Sequence, residues 1–364
     1  METGKGKDAG RDTGGVGRRL VTLRDVAKAA GVSTATVSLV INDKKGARIG
    51  EDTRERVRAA IRRLGYRPNA LAKTLSSGTS TFIGLVADGV ATTPFAGQIV
   101  HGAQDEAWKQ GYVLLVANTE GDEGVEKDAI AMMLEHQVRG ILYSTWYHRP
   151  VEVPPSLDET DFVLVNCFGS DRTATAVVPD EVQGAFTATE MLLRRGHERI
   201  AFINTTTPSP ARTGRLRGYQ EALSAHAVVA DEALLLDAQP DQEGGYAVAE
   251  QVLHTGATGV FCHNDRVAMG LLDALRERGV TVPGDISIVG FDNQEVISAH
   301  TRPALSTVGL PHYELGAVGV RLLLGLEDTP RDAVVRVSCP AVERDSTAEL
   351  PQPRIPQTTH PRGR

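Results

Sequence analysis

The chain has 364 residues with 23% charged and 41% hydrophobic residues and a formal charge of −7. That length suggests two or three domains and excludes a single small fold. No apolar run is long enough to span a bilayer and no signal-peptide pattern opens the chain, so a cytoplasmic protein without a membrane partner is expected. Cys167, Cys262 and Cys339 are widely spaced in apolar surroundings and fit no metal spacing; buried free thiols and no cofactor are expected.

The charge is uneven. Residues 1–80 hold 17 Lys/Arg against 8 Asp/Glu, whereas the remainder holds 22 against 38. A basic arm on an acidic body is the footprint of a nucleic-acid-binding unit carried by a domain with another task. Residues 1–20 are rich in Gly, Lys, Asp and Arg with almost nothing to bury, and read as a disordered tail.

Residues 21–66 read as three short helices. Leu23, Val26, Ala27 and Ala30 share one face of the first, and Gly31 ends it. Ser33 suits an N-cap for the second, whose buried side is Val37, Val40 and Ile41. The third, near 51–64, buries Val57, Ala60, Ile61 and Leu64. Two helices joined by a tight Gly-Val turn make a helix-turn-helix, whose second helix enters a major groove. That helix leaves Thr34, Ala35, Thr36, Ser38 and Leu39 outside its apolar side, small enough for a backbone to approach bases. Its N-terminal amides and the Ser33 and Thr36 hydroxyls suit phosphate oxygens.

Residues 67–79 follow as a short capped helix with Asn69 at its start, Leu71 and Leu75 one turn apart, and Gly78 at its exit. So short a helix needs docking to be ordered. A leucine on it can wedge between base steps in a minor groove.

TLRDVAKAAGVSTATVS followed by TRERVRAAIRRLGYRPNALAKTL resembles the headpiece and hinge helix of the LacI/GalR family, and the resemblance extends to about Arg344. It implies a homodimeric, sequence-specific transcription regulator, a repressor, acting on near-palindromic double-stranded operator DNA. By matching positions, Thr34, Ala35 and Leu39 would face bases, Ser33, Thr36 and Asn69 would hold phosphates, and Leu75 would be the wedge. Ser38, Asn42 and Ala72 complete the candidate DNA-contacting set. Two departures bear on operator sequence. Leu39 stands where several members carry a long polar side chain and cannot make a bidentate guanine contact. The loop 42–50 is also longer and more basic than usual.

From Phe82 onward apolar strands alternate with amphipathic helices, which means parallel sheets covered on both faces. FIGLVA, YVLLVAN, GILYST and FVLVNC form one series; ATAVV, RIAFIN, GVFCHN and DISIVGF form a second. The expected architecture is therefore α+α/β: a helix-turn-helix headpiece and hinge helix, then a two-subdomain α/β core over 80–345 resembling a periplasmic binding protein. A flexible tail is expected over 346–364, polar and proline-broken, so a dimer rather than a leucine-zippered tetramer. The resemblance further implies that Ser306–Leu326 returns to the first subdomain and Val334–Cys339 to the second.

Ligands of open α/β sheets sit beyond the carboxyl ends of the strands. Those ends carry Asp88, Phe95, Ser144, Trp146 and Asn166 in the first series, and Asp180, Arg215, Asn264, Asp265, Asp292 and Asn293 in the second. Planar polar groups beside an aromatic face suit a sugar ring, and leaving them unpaired rejects a wrong ligand. Phe95, Trp146, Asn166, Arg215, Asn264 and Asp292 are the candidate effector-binding residues; GRLRGY, HNDRVAMG and GFDN carry the strongest family match. Asp265 is equally an N-cap, Asp180 a cap of the next helix, and Trp146 core or interface packing. An α/β enzyme or an exported sugar-binding protein shares the core. No G-x-S-x-G, Walker loop, G-x-G-x-x-G after a strand or H-E-x-x-H occurs, His197 reads as a turn residue, and an exported binder has no use for a headpiece. A non-enzymatic regulator, shifted between two states by a small effector, is expected.

Overall fold

A computed structural model describes residues 21–41, 49–66, 80–93, 95–330 and 332–350. The expected tail 1–20, the helix over 67–79 and the candidates Asn42, Asn69, Ala72 and Leu75 lie outside the described residues. The chain divides into two compact units, one ending at Thr79 and the other beginning at Ser80.

In the first unit, α1 (Leu23–Ala30) is started by a capping box, in which Thr22 and Asp25 satisfy each other's free amides. It stops at Gly31, φ 65°, the left-handed conformation that glycine adopts without penalty. α2 (Thr34–Ile41) is capped by Ser33, whose Oγ accepts from the Thr36 amide at 3.1 Å. α3 (Glu51–Leu64) closes the unit, and Val26, Ala27, Ala30, Val37, Val40, Val57 and Ala60 form its core.

The second unit holds two six-stranded sheets. The first runs β11-β5-β4-β3-β1-β2 and the second β12-β10-β9-β8-β6-β7, each numbered in chain order. β1 (Phe82–Ala87), α4 (Gly97–Lys109), β2 (Val113–Asn118), α5 (Glu123–Glu135), β3 (Ile141–Val151), β4 (Phe162–Gly169) and β5 (Ala176–Pro179) build the first lobe. The second lobe takes α6 (Glu181–Leu193), β6 (Ile200–Thr205), α7 (Pro210–Ala225), β7 (Leu235–Ala238), α8 (Gln242–Ala247) and α9 (Ala249–Thr255). It continues with β8 (Gly259–Cys262), α10 (Asp265–Glu277), β9 (Ser287–Asp292), α11 (Glu295–Ser298) and β10 (Ser306–Gly309). The chain then crosses back: α12 (His312–Leu323) and β11 (Val334–Val337) join the first lobe, and β12 (Ala341–Val342) the second. Among the described residues every ladder is parallel except β12 on β10. The helical stretch from Gln242 to Thr255 is interrupted at Val248 (φ −82°, ψ −7°), which separates α8 from α9.

Strand membership differs from expectation at three places. ATAVV contains β5, which pairs with β4 in the first sheet (Leu164↔Ala176) rather than opening the second. Ser306–Leu326 is divided, since β10 stays beside β9 and only α12 crosses. Val334–Val337 lies in the first sheet, on β5, and not in the second. The physical reason is common to all three: a short apolar strand carries no mark of which partner buries it. α12 lies so close to α4 that a Cβ on Gly316 would sit 2.0 Å from the Ile99 carbonyl oxygen.

The C-terminal segment is bound to the second lobe as far as Leu350, whose amide donates to the Arg195 carbonyl at 2.8 Å, beyond the expected start of the tail at 346. Ser346 is fully buried; its Oγ accepts from the Ser306 amide at 2.8 Å and donates to the Ile288 carbonyl at 2.6 Å. His197 is buried too, its Nε2 3.0 Å from the Ala348 carbonyl oxygen. All three cysteines are buried free thiols. No helix among the described residues is long and apolar enough to cross a membrane.

Candidate functional site

The three crossings between lobes occur at Pro179–Glu181, Leu310–His312 and Val337–Ala341, and the carboxyl ends of both sheets face a cavity of about 340 Å³ beside the first two. All six sequence-derived candidates line it: Phe95, Trp146 and Asn166 from the first lobe, Arg215, Asn264 and Asp292 from the second. The local backbone explains how. Pairing of β3 with β4 slips between Ser144 and Arg149, and the irregularity turns Trp146 and Tyr147 out of the sheet. Opposite it, Asn166 takes φ 60° and donates from Nδ2 to the Thr145 carbonyl at 3.0 Å. Asp292, at the end of β9, has φ 103°, a conformation that is costly for a residue with a Cβ and is concentrated at functional sites.

Arg215 is the electrostatic centre. It is 3% exposed and its guanidinium lies 3.8 Å from the Phe291 ring centroid. Nε donates to Glu181 at 2.8 Å, one Nη to the His263 carbonyl, and the other is 3.6 Å from Asp292. Glu181 also meets Nδ1 of His148 at 3.3 Å. Burial alone would raise the Glu181 carboxyl; Arg215 and His148 outweigh it and hold the group down to about 2. Burial wins at Asp292, whose carboxyl is pushed above its ordinary range despite Arg215. Burial also drives His312 down to about 4, so it faces the cavity as a neutral ring, 6.0 Å from the Phe95 centroid.

The cavity thus has two unlike walls. Phe95, Trp146, Tyr147 and His312 make an aromatic one; Arg215, Asn264, Arg266 and Asp292 belong to the polar one. Several functions differ from the sequence expectation. Asn264, not Asp265, caps α10: its Oδ1 accepts from the Val267 amide at 2.9 Å and its Nδ2 donates to the Pro240 carbonyl at 3.0 Å. Asp265 lies outside the cavity lining and accepts from Thr307 and from the Gln294 amide. Asp180 caps α6. Asp88 pairs with Arg149 at 2.9 Å, and Asn293 is held by Ser298 and Arg344, so both are structural ties. Ser144 is buried and does not line the cavity. Sequence reading missed Glu181, His148, His263 and His312; Glu181 stands one residue past Asp180, at a strand end already chosen.

In the helix-turn-helix unit Ser33, Thr34 and Ala35 are exposed, Thr36, Ser38 and Leu39 half-buried, and Val37 and Val40 buried. The N-terminal face of α2 is therefore open while its apolar side holds the unit together.

A helix-turn-helix unit on a two-lobed α/β body with a polar-aromatic cleft defines a ligand-responsive DNA-binding regulator. The chain belongs to the lacI family of bacterial regulatory proteins: residues 22–69 match that family and residues 189–347 match the periplasmic binding protein-like domain. It is 32% identical over 336 residues to the HTH-type transcriptional regulator GalR of Escherichia coli, covering 91% of this chain and 97% of the relative. It is also 32% identical over 310 residues to the HTH-type transcriptional repressor PurR of Vibrio atlanticus, covering 84% and 91%. Among solved structures it is similar to the lac repressor dimer bound to operator and the anti-inducer ONPF (26% identity, TM-score 0.73, 91% of this chain and 100% of that one). It is similar also to the complex of the transcriptional regulator CelR with cellobiose (28%, TM-score 0.60, 90% and 99%). The protein is thus a DNA-binding transcriptional regulator with an effector-binding core, and not an enzyme.

Proposed function

We propose that this regulator is a cytoplasmic homodimeric repressor whose operator affinity is set by a sugar bound between the lobes. The observation that carries the reading is the cleft itself, where an aromatic wall from one lobe stands opposite a polar wall from the other. A sugar ring offers such a site an apolar face and an edge of hydroxyls. Phe95 and Trp146 would stack on the ring, and Asn166, Asn264, Arg215 and Asp292 would serve or support its hydroxyls. Because both lobes contribute, a ligand that fits the closed arrangement better than the open one shifts the population between them. That shift would reach the operator through residues 67–79, with Leu75 as the minor-groove wedge, Ser33, Thr36 and Asn69 on phosphates, and Thr34, Ala35 and Leu39 towards bases.

The relatives support this. One was solved on operator with an anti-inducer and another with cellobiose. Gel shift on the DNA upstream of the gene, with thermal melting of the full chain against a panel of sugars, tests it. At least one sugar should raise the melting temperature and change operator affinity together. Sugars that leave both unmoved would end the sugar reading.

A further inference from the structure

Arg215 has little left to offer a ligand, because Glu181, the His263 carbonyl and Asp292 take its three nitrogens. Arg266, at the second position of α10, is different. It lines the same cavity, and among the described residues it makes no hydrogen bond or ion pair; its Nε is buried without a partner. Beside it His263 is 7% exposed, and its Nδ1 is likewise buried and unpartnered. The carboxylates that line the cleft are already held: Glu181 by Arg215 and His148, Asp292 by Arg215 and by Gln294 at 3.0 Å. A partly buried guanidinium whose neighbouring carboxylate, Asp292, is already held by Arg215 and Gln294 is under-compensated, which is unfavourable. Here the positive end of α10 adds to its field.

We propose that Arg266 is a specificity-determining residue of the effector site, and that the effector is a sugar carrying an oxyanion, a phosphate or a carboxylate, which the free Arg266 fork holds. The proposal rests on the reading of the cleft as the sugar site. A guanidinium matches either oxyanion with two parallel hydrogen bonds, which an ammonium does not reproduce. Hydroxyls of Thr205 and Ser209 line the same side of the cavity and suit the remaining oxygens.

The test uses the full chain and matched sets of neutral hexoses, hexose 6-phosphates and hexuronates, titrated by calorimetry and followed by thermal shift. At least one anionic member should bind more tightly than its neutral parent, and the better of the two sets identifies the oxyanion. Arg266→Gln should weaken that binding by about tenfold to a hundredfold, the loss expected of a charged hydrogen bond. It should leave the unliganded melting temperature no lower than the parent's, since the variant loses an under-compensated charge, and Arg266→Lys should retain part of the affinity. Neutral hexoses binding as tightly as their anionic forms would overturn the proposal and leave the sugar cleft standing. Anionic binding unaffected by Arg266→Gln would do the same. Failure of both anionic sets would overturn it as well, and failure of the neutral hexoses too would remove the sugar reading beneath it.

Discussion

Arg215→Ala should destabilise the core, not merely abolish the response to ligand. A residue that touched only the effector would give a folded, effector-blind variant, but this buried guanidinium is shared between two buried carboxylates. Lowering the Glu181 carboxyl from 4.5 to about 2 corresponds to about 3 kcal/mol of native-state stabilisation, and Arg215 is its largest favourable source. Breaking a buried pair costs about 3–5 kcal/mol by direct comparison with other proteins. In a unit of this size each kcal/mol moves Tm by about 2–4 °C, so the variant should melt on the order of 10 °C lower at neutral pH. The pH dependence has a sign. The depressed Glu181 carboxyl stabilises the native parent fully above 4.5, and that stabilisation is lost as pH falls towards about 2. Without Arg215, burial raises the same carboxyl, so acid relieves the variant while it weakens the parent. The gap in Tm should therefore narrow between about pH 5 and pH 3. Adding Glu181→Gln to Arg215→Ala should recover part of the loss at neutral pH. Melting by circular dichroism from about pH 3 to pH 7 checks all three, and a variant within about 2 °C of the parent at pH 7, less than 1 kcal/mol, would refute the reasoning.

Gly316→Ala places a methyl group against the Ile99 carbonyl and should cost about 1–3 kcal/mol or more, read as a lower urea midpoint. Ser346→Ala removes two buried hydrogen bonds and leaves the Ser306 amide without its partner; a loss of about 1–3 kcal/mol by denaturant titration is expected. Leu39→Arg should shift selection from random duplexes towards guanine at one position of each half-site, by about 1–3 kcal/mol. An unchanged site preference would place Leu39 away from the bases.

The helix-turn-helix unit was legible because everything that defines it is local. The Val26/Ala27/Ala30 period, the Gly31 stop and the Ser33 cap lie within a few residues of one another. The strand-end rule worked only in part: Asn264 and Asp292 stand at the ends of β8 and β9 and Trp146 and Asn166 in the last stretches of β3 and β4, whereas Phe95 lies in the turn before α4 and Arg215 inside α7, not at a strand end. What sequence did not reveal is set by distant partners. Nothing in Val334–Val337 says that it lies on Ala176–Pro179 rather than on the second sheet. Arg215 reads as a free donor until Glu181 and Asp292 are brought to it from separate elements. Asn264 and Asp265 are neighbours with interchangeable capping chemistry, and Thr307 with the Gln294 amide decides which of them turns inward.

The late return of α12 and β11 to the first lobe has a consequence for biosynthesis. As the chain leaves the ribosome, β1 to β5 emerge early, yet β5 lacks the neighbour that completes its edge until Val334–Val337 appears. The face of Val165 and Val177 lacks Leu315 and Val318 until α12 appears. The second lobe is nearly all synthesised in that interval, so the first lobe must wait half-made with an open parallel edge and an uncovered apolar face. Such an edge is a template for pairing with other chains. Truncations that remove residues 312–337 should therefore yield aggregates rather than a soluble first lobe, and the nascent protein should depend on chaperones most heavily just before those residues emerge.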